Sequence, residues 1–373
     1  MRPAGLDRQI FDHLATATGG ILVSIYLPTQ VQGDGIDQGR IRLKNSLMDA
    51  EAALHAVGWK PGERAEHLKH VRDLLDDREF WQHQMSGLAV FVEAEGESRQ
   101  VALPAGVNDL TLVADTFHLR PLIPSLDPVE LPVLVLTMNR VRLYRASRFD
   151  AAEVVADLPR SFDDVNWFVD REKQRQQHAD RAGSKGQRHG HEPSQARHED
   201  LDRFLRAVDD AIPASDRPEP LVVLADDELL ARFGAVSDRE ILAGDHIGDV
   251  DNRAGVLEIA ADVVKDYEAG LNGKLIELAR EHVGSGSAIT GLTEALEAAV
   301  TGRIDRLLLR RESAPVWGRF DPGTLEVVKK DERAPMLIDL LDRLVIHAMS
   351  TGAEVRALET DVEGQNFVAI PRF

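Results

Sequence analysis

Runs of apolar residues alternate with helical stripes through the first third of the chain. The run "GILVSIYLP" at 20–28 ends at Pro28 and predicts a strand, and an apolar residue every three or four positions between Leu43 and Val57 predicts a helix. Pro61 begins a second predicted helix, and three further strand-like runs, "GLAVFVEA", "SRQVALPA" and "DLTLVADTFH", follow. We therefore expect an α/β domain over 1–126.

A second unit begins with two apolar runs at 131–149, which the turn Met138-Asn139-Arg140 divides into a predicted hairpin. Periodicity is then lost over a polar stretch at 160–194, and it returns in a helix from Leu201 to Ile212. The strand "PLVVLAD" and a helix around Leu229 complete this pattern. The prediction is an α/β domain over 127–240 that presents 171–194 as an exposed loop, because so long a structureless stretch in a compact domain is usually functional or disordered.

Turn-forming and acidic residues at 234–255 predict a linker. A long helix near 255–282, a helix ended by Gly302, the strand "IDRLLLR", the helix "MLIDLLDRLVIHAM" and the strands "EVRALE" and "NFVAIPRF" come after it. These elements predict a third α/β domain over 250–373, so the expected fold class is α/β, with three domains in series.

Composition excludes several classes of protein. The 373 residues include no cysteine, which removes disulfides, thiolate catalysis and cysteine-based zinc sites. The N-terminus has no apolar leader and no run could span a bilayer, so we expect a cytoplasmic protein with no membrane partner.

Positive charge is concentrated in one place. The net charge is -19, yet Arg171 to His198 contains seven Lys or Arg against three acids, a local balance of +4 that leaves -23 on the rest. A cationic segment on an acidic chain suits a confined contact with phosphate groups, although a solvated loop with incidental charge has the same composition.

Metal binding is the first chemistry that the histidines suggest. His178, His189, His191 and His198 lie close in sequence, but no HExxH pattern aims two rings at one ion. Asp245, His246, Asp249 and Asp251 lack the order of EF-hand ligands and fit a linker rich in turns. We expect no metal and no other cofactor.

Other catalytic patterns are also missing. The segment "GSKGQRHG" lacks the GxxxxGK[ST] order of a P-loop, and no GxSxG elbow is present. A metal-dependent nuclease or hydrolase would need paired acids at strand ends, which the predicted middle domain does not offer.

The order of segments resembles the archaeal and eukaryotic class-1 peptide-chain release factor superfamily, which includes Pelota, and more closely its bacterial members. "VSIYLP" with "RIRLKNSLMDAEAAL" is similar to the first domain of that superfamily, and "LTLVADTFHLRPL" is similar to the last strand of that domain, with Asp115, Phe117 and His118 matching a recurring pattern. "VLVLTMNRVRLYRASRF" resembles the hairpin of the middle domain, while "ALEAAVTGRIDRLLL" and "NFVAIPRF" resemble parts of the third. The resemblance implies an RNase H-like middle domain and a ribosomal-protein-like C-terminal domain.

The hydrolytic Gly-Gly-Gln motif of the family lies between the middle-domain hairpin and the long helix, where this chain has Lys185-Gly186-Gln187. Adjacent glycines let the backbone approach the peptidyl-tRNA ester, and the glutamine helps to place water. Lys185 adds a side chain where that approach is needed, so Gly186 and Gln187 are candidate catalytic residues only if the protein hydrolyses peptidyl-tRNA.

Stop-codon reading does not carry over. The stretch that matches the family's Asn-Ile-Lys-Ser motif is Gly35 to Gln38, and the cysteine-containing motif falls on the cysteine-free "LTLVADTF". What the resemblance implies is a ribosome-associated factor that occupies the tRNA site of stalled or idle ribosomes, acting by binding in rescue or hibernation.

The expected partner is therefore the ribosome, through rRNA in the tRNA site. The candidate RNA-binding residues are Arg171, Lys173, Arg175, Arg181, Lys185 and Arg188. Two alternatives stay open: a peptidyl-tRNA hydrolase, and an acidic interaction scaffold unrelated to translation.

Overall fold

The computed structural model describes residues 3–29, 35–165, 193–215, 218–244 and 253–373. The chain folds into two compact units. Unit 1 combines Met1–Asp127 with Asn272–Phe373, and unit 2 is Pro128–Leu271. The division into three domains at 1–126, 127–240 and 250–373 stays a prediction, since a unit built from two chain segments is compatible with one domain or with two packed ones.

The N-terminal part of unit 1 contains a five-stranded sheet with the order β1-β4-β3-β2-β5. Its strands are β1 (Ala4–Gly5), β2 (Leu22–Pro28), β3 (Gly87–Val92), β4 (Ser98–Leu103) and β5 (Leu110–Ala114). β2 runs antiparallel to both β3 and β5, so the apolar run predicted at 20–28 is the centre of the sheet.

Helices cover both faces of this sheet. They are α1 (Arg8–Thr16), α2 (Gly35–Ala56), α3 (Pro61–His67), α4 (Lys69–Asp73), α5 (Arg78–Gln82) and α6 (Ile123–Leu126), with a 3-10 turn at Arg120–Leu122. Ile25 packs on the same side as Leu43 and Leu47 of α2, whereas Tyr26 packs on the other side with Phe11 of α1. Neighbouring residues of a strand point to opposite faces, which explains why the run is apolar at almost every position.

The C-terminal part of unit 1 adds two three-stranded sheets, with the orders β15-β11-β16 and β13-β12-β14. Their strands are β11 (Ile304–Arg310), β12 (Trp317–Asp321), β13 (Glu326–Lys329), β14 (Ile338–Asp339), β15 (Glu354–Leu358) and β16 (Phe367–Pro371). The helix α10 (Leu292–Val300) packs here, and Gly302 just after it has the positive φ that the sequence pattern predicted for a helix end.

The helix predicted over "MLIDLLDRLVIHAM" is shorter than expected, because α11 covers Leu340–Ser350. Ile338 and Asp339 form β14 instead, and the Asp339 carboxylate accepts the Leu341 backbone N–H as an N-cap. An aspartate in this role ends the extended segment and begins the helix.

Both segments of unit 1 contribute to one hydrophobic cluster. Phe117, Leu119 and Leu122 from the first segment share it with Leu340 and Leu344 from the second. Residues more than 200 positions apart in sequence therefore form one core.

Unit 2 contains a five-stranded sheet with the order β10-β9-β6-β7-β8. Its strands are β6 (Glu130–Thr137), β7 (Arg140–Ser147), β8 (Ala151–Glu153), β9 (Leu221–Leu224) and β10 (Ile241–Ala243). The predicted hairpin is confirmed, since β6 and β7 pair antiparallel from Glu130–Ser147 to Thr137–Arg140. β9 runs parallel to β6 and β10 parallel to β9, which together with the hairpin gives the RNase H-like strand arrangement.

The helices α7 (Pro193–Ala211) and α8 (Asp227–Val236) cover one face of this sheet, and the first part of α9 (Arg253–Gly284) covers the other. From Asn272 onwards α9 belongs to unit 1. The prediction of a linker over 234–255 was wrong at β10, where three residues pair with β9, and at the end of α8, which reaches Val236.

In the described part of the chain, no helix combines the length and apolarity needed to cross a membrane.

Candidate functional site

The predicted loop lies between the β6–β7 hairpin and α7, but most of it lies outside the described residues. Residues 166–192 include both candidate catalytic residues, Gly186 and Gln187, and every candidate RNA-binding residue, Arg171, Lys173, Arg175, Arg181, Lys185 and Arg188. What the structure describes is the base of this segment, up to Val165 on one side and from Pro193 on the other.

The segment that leads to 166 is fastened to the hairpin by backbone hydrogen bonds. The Val154 N–H donates to the Leu143 carbonyl, the Val141 N–H to the Arg160 carbonyl at 3.1 Å, and the Phe162 N–H to the Met138 carbonyl at 2.8 Å. Met138 stands in the hairpin turn, so Phe162 is held directly beside that turn.

The segment that follows 192 is fastened to the same core. Phe204 and Leu205 of α7 are fully buried, and the Phe204 ring meets the Phe162 ring edge to face at 5.7 Å between centroids. Val208 extends the same apolar stripe, as the sequence pattern predicted. One hydrophobic cluster therefore contains residues from both sides of 166–192.

The outer face of α7 is acidic, but three of its aspartates are paired. Asp200 lies 3.0 Å from Arg203, Asp202 lies 3.5 Å from Arg232, and Asp209 lies 2.9 Å from Arg239. These exposed and half-exposed pairs contribute little stability. They offset part of the negative charge of this helix face.

The described residues hold no group of three or more His, Cys, Asp or Glu side chains that could share a metal ion. His198 is exposed at the beginning of α7, whereas His178, His189 and His191 lie outside the described ranges. The acidic group Asp245, His246, Asp249 and Asp251 lies outside them as well.

A metal-dependent nuclease would need paired acidic side chains at strand ends, and β6 and β9 give that hypothesis no support. The central residues of β6 are apolar and buried, and Asp226, which follows β9, accepts the Leu229 backbone N–H at 2.8 Å as the N-cap of α8. A carboxylate in that role is held by the helix that it caps.

A second polar site, which sequence reasoning missed, lies buried in unit 1. The carboxylate of Asp342 accepts the backbone N–H groups of Leu119 and Arg120, both at 2.6 Å, and the Arg343 guanidinium at 2.6 Å. His118 Nδ1 lies 3.6 Å from the same carboxylate. Of the residues matched to the family pattern, His118 and Phe117 are buried here, while Asp115 is exposed.

Arg120 extends this buried cluster. Its guanidinium lies 3.1 Å from Asp339 and donates to the Ser313 hydroxyl at 2.6 Å and to the Ser313 carbonyl. Each of these contacts joins the N-terminal segment of unit 1 to its C-terminal segment.

Burial and neighbouring charge set the protonation of the cluster. Burial lowers the pKa of His118 despite the nearby Asp342, so the imidazole is held neutral. Burial alone would raise the pKa of Asp342, but the Arg343 guanidinium and the hydrogen bond from the Arg120 N–H oppose it, and the pKa is lowered. The sequence carries no signal specific to this site, since two adjacent charged residues in a helix are also the pattern of an ordinary solvent-facing side.

Comparison with known proteins gives one family match. The model of bacterial archaeo-eukaryotic release factor family 3 matches residues 132–303. No curated protein matches the chain.

Several solved structures are similar to the chain at low identity. The archaeal translation termination factor aRF1 is 13% identical, with 98% of this chain and 96% of that chain covered and a TM-score of 0.24. Archaeoglobus fulgidus Pelota is 13% identical, with 77% and 79% covered and a TM-score of 0.33. Archaeal Pelota, in a model of its ribosome-bound form with ABCE1, is 12% identical, with 77% of each chain covered and a TM-score of 0.37.

The family match spans the β6–β7 hairpin, the basic segment and α7, which are the parts of unit 2 on which the predicted resemblance depended. Over residues 132–303, a little under half of the chain, the match thus confirms the predicted resemblance to the bacterial archaeo-eukaryotic release factors.

Proposed function

We propose that the protein occupies the tRNA site of stalled or idle ribosomes and acts in ribosome rescue or hibernation mainly by binding. The observation that carries this proposal is the concentration of charge. A segment of +4 lies in a chain whose remainder carries -23, and it falls within the residues that match the release factor family. Such an arrangement directs one part of an acidic protein towards phosphate and disfavours contact elsewhere.

The position of the segment supports the same proposal. Backbone hydrogen bonds hold the chain that precedes it beside the turn of the β6–β7 hairpin, and the contact between Phe162 and Phe204 anchors the helix that follows it to the same unit. Arg171, Lys173, Arg175, Arg181, Lys185 and Arg188 are the side chains that we assign to rRNA phosphates.

Peptide release is the second candidate function, and the pair Gly186-Gln187 is the observation that favours it. The backbone of two adjacent glycines could approach an ester closely, but Lys185 replaces the first glycine of the family motif. We therefore expect the natural protein to hydrolyse peptidyl-tRNA poorly or not at all.

The test is sedimentation with ribosomes from growing and from starved cells over a series of salt concentrations. Replacing Arg175, Arg181 and Arg188 by Gln removes three positive charges, and we expect affinity to fall and the log-log salt slope to flatten by about two to three. The matched control replaces Arg310, Lys329 and Lys330, which are exposed in unit 1, and should sediment like the natural protein.

Release of nascent peptide from stalled ribosomes is measured on the same samples. Release by the natural sequence that is lost in Gln187→Ala would establish the hydrolase, whereas Lys185→Gly is expected to raise release only if the rest of the segment is competent. If both triple variants sediment with ribosomes equally well, the basic segment is not part of the ribosome interface. Absence of any sedimentation would favour the scaffold unrelated to translation.

A further inference from the structure

The strand β13 (Glu326–Lys329) forms one edge of the sheet β13-β12-β14 in unit 1, and within the described residues it pairs only with β12. Lys330 continues this pairing, since its N–H donates to the Trp317 carbonyl at 2.9 Å. An edge strand presents a row of unpaired N–H and C=O groups, to which another extended segment can add. The ribosome contact proposed for unit 2 does not use this edge.

The register of the β12–β13 pair determines which backbone groups of β13 are free. In an antiparallel pair, hydrogen-bonded residues alternate with residues whose N–H and C=O groups point away from the partner strand. Because Lys330 is bonded to β12, the same is expected of Val328 and Glu326. The N–H and C=O groups of Val327 and Lys329 therefore point to the outer edge.

One face of this edge carries exposed side chains. Glu326, Val328 and Lys330 share that face, because alternate residues of a strand point the same way. All three are exposed, and Val328 has 38% of its surface accessible. In the part of the chain that the structure describes, neither Glu326 nor Lys330 belongs to an ion pair. The face therefore presents an acid, an apolar residue and a base in order.

This order is complementary to itself when two copies of the strand run antiparallel. A two-fold axis perpendicular to the sheet places residues of the same face opposite each other. When Val328 lies opposite Val328 of the second copy, Glu326 of each chain lies opposite Lys330 of the other. Val327 of each chain then faces Lys329 of the other, and the free backbone groups of the two residues exchange both N–H···O bonds.

Other registers lose this match. A register with Val327 opposite itself places Glu326 against Val328, so the charges find no partners. A register with Lys329 opposite itself places two like charges face to face, which is destabilising. Of these three registers, only the one centred on Val328 pairs opposite charges and keeps apolar residues together.

Short strands and lysines at a sheet edge usually discourage pairing with other chains. An arbitrary strand would meet Glu326 and Lys330 without opposite charges in the matching places. A second copy of this chain offers both of them at the required spacing. The same two residues thus disfavour other strands and favour this one, which is how specific pairing is commonly achieved.

We propose that this edge joins two copies of the chain by antiparallel pairing of β13 with β13, centred on Val328. The two three-stranded sheets then form one continuous sheet of six strands. The contact is small, so the dimer is weak and is populated at chain concentrations of roughly 10 to 1,000 μM.

The test is sedimentation equilibrium of the full chain over that concentration range, in about 0.15 M salt to screen the net negative charge of both copies. Lys330→Glu and Glu326→Lys each place like charges opposite each other at both ends of the paired strands. We expect each change to weaken dimerisation by about tenfold or more. The variant that carries both changes again has opposite charges in register and should dimerise within about threefold of the natural protein.

The controls separate this pairing from an effect of net charge. Lys330→Glu makes the chain more acidic and Glu326→Lys makes it less acidic, so net charge alone would change dimerisation in opposite directions. Arg310→Glu makes the same change of charge as Lys330→Glu at an exposed position outside the sheet of β13, and it should dimerise like the natural protein. A thermal unfolding curve is recorded for each variant.

The proposal is overturned if the natural protein is monomeric over the whole range, which would leave the edge to a strand of another protein. It is also overturned if either single variant dimerises like the natural protein, if the double variant does not recover, or if Arg310→Glu loses dimerisation as well. None of these outcomes depends on sedimentation with ribosomes.

Discussion

Charged residues in the interior of unit 1 connect parts of the chain that are distant in sequence. Asp342 accepts two backbone N–H groups from Leu119 and Arg120, and Arg343 donates to the Phe117 carbonyl. A buried ion pair adds less net stability than its Coulomb energy suggests, because both charges lose their hydration. Loss of one partner, however, leaves the other charge buried without compensation.

We predict that Asp342→Asn lowers the free energy of unfolding by about 3 to 5 kcal/mol at pH 7. The amide oxygen can still accept the N–H groups of Leu119 and Arg120, which donate to the same carboxylate oxygen, but the amide nitrogen then faces the Arg343 guanidinium and cannot neutralise it. Since the pKa of Asp342 is lowered in the folded state, its stabilisation is complete above the ordinary Asp pKa, near 4, and is lost as the pH falls through the lowered value. The difference between the two proteins should therefore be constant from pH 7 to about pH 5 and shrink in stronger acid.

Urea unfolding followed by tryptophan fluorescence gives the measurement, since three of the four tryptophans, Trp59, Trp81 and Trp317, lie in unit 1. Asp331→Asn, at an exposed position, is the matched control and should change stability by less than about 0.5 kcal/mol. A loss of under 1 kcal/mol in Asp342→Asn, or a difference that does not shrink in acid, would contradict the assignment.

Sequence patterns could not predict this cluster. On an amphipathic helix, charged residues are expected on the solvent side, and "LIDLLDRLVIHAM" reads as such a helix. Its charged positions are buried because a second chain segment covers them, and periodicity carries no information about that segment. By contrast, Lys185-Gly186-Gln187 could be singled out because its order and place resemble a family motif.

At the scale of elements, long periodic segments were predicted well and short ones were not. The stripe from Leu201 to Ile212 covers the second part of α7, which begins earlier, at Pro193, and the hairpin turn lies at Met138-Asn139. The three residues of β10 were predicted to be part of a linker, because turn-forming acidic residues flank them. In the structure they are extended because they pair with β9. A strand of that length has no period that a sequence pattern can reveal.

We predict that Phe204→Ala lowers the stability of unit 2 by about 3 to 5 kcal/mol, because Phe204 is fully buried and its ring packs on Phe162. Hydrogen exchange of the amides in α7 and in 154–165 gives the measurement, since both segments pack on the same cluster. Arg206→Ala, two positions further along the same helix and exposed, should have little effect. Unchanged protection in 154–165 would show that the two sides of the basic segment are fastened independently.

At the scale of the whole molecule, the two ends of the chain belong to unit 1, and the residues between them in sequence form unit 2. Residues 272–373 share a hydrophobic cluster with residues from the N-terminal sheet, and the Met336 N–H donates to the Val113 carbonyl at the edge strand β5. The apolar pattern revealed the elements at both ends of the chain, but which element packs on which depends on contacts across more than 200 residues. Sequence order alone suggests domains in series and cannot show that the ends share a core.

We predict that two fragments, 1–127 and 272–373, expressed together as separate chains, associate and copurify. Each fragment alone would expose its part of the shared cluster and leave Arg343 or the Leu119 N–H without its partner. Burial of a continuous apolar surface favours reassembly of such halves. Affinity purification through a tag on 1–127, followed by quantification of 272–373 in the eluate, gives the measurement.

The control pair separates specific docking from nonspecific aggregation of apolar fragments. Leu344→Lys places a charge at a position that is 1% exposed in the shared cluster and should abolish copurification. Val328→Lys makes the same chemical change at a position that is 38% exposed and should leave copurification intact. Equal recovery of both variant fragments would mean that the halves adhere without the packing described, whereas loss of both would mean that the C-terminal fragment does not tolerate the added charge anywhere in this region. The two ends of the chain form one core if copurification is lost in the Leu344→Lys variant and kept in the Val328→Lys variant.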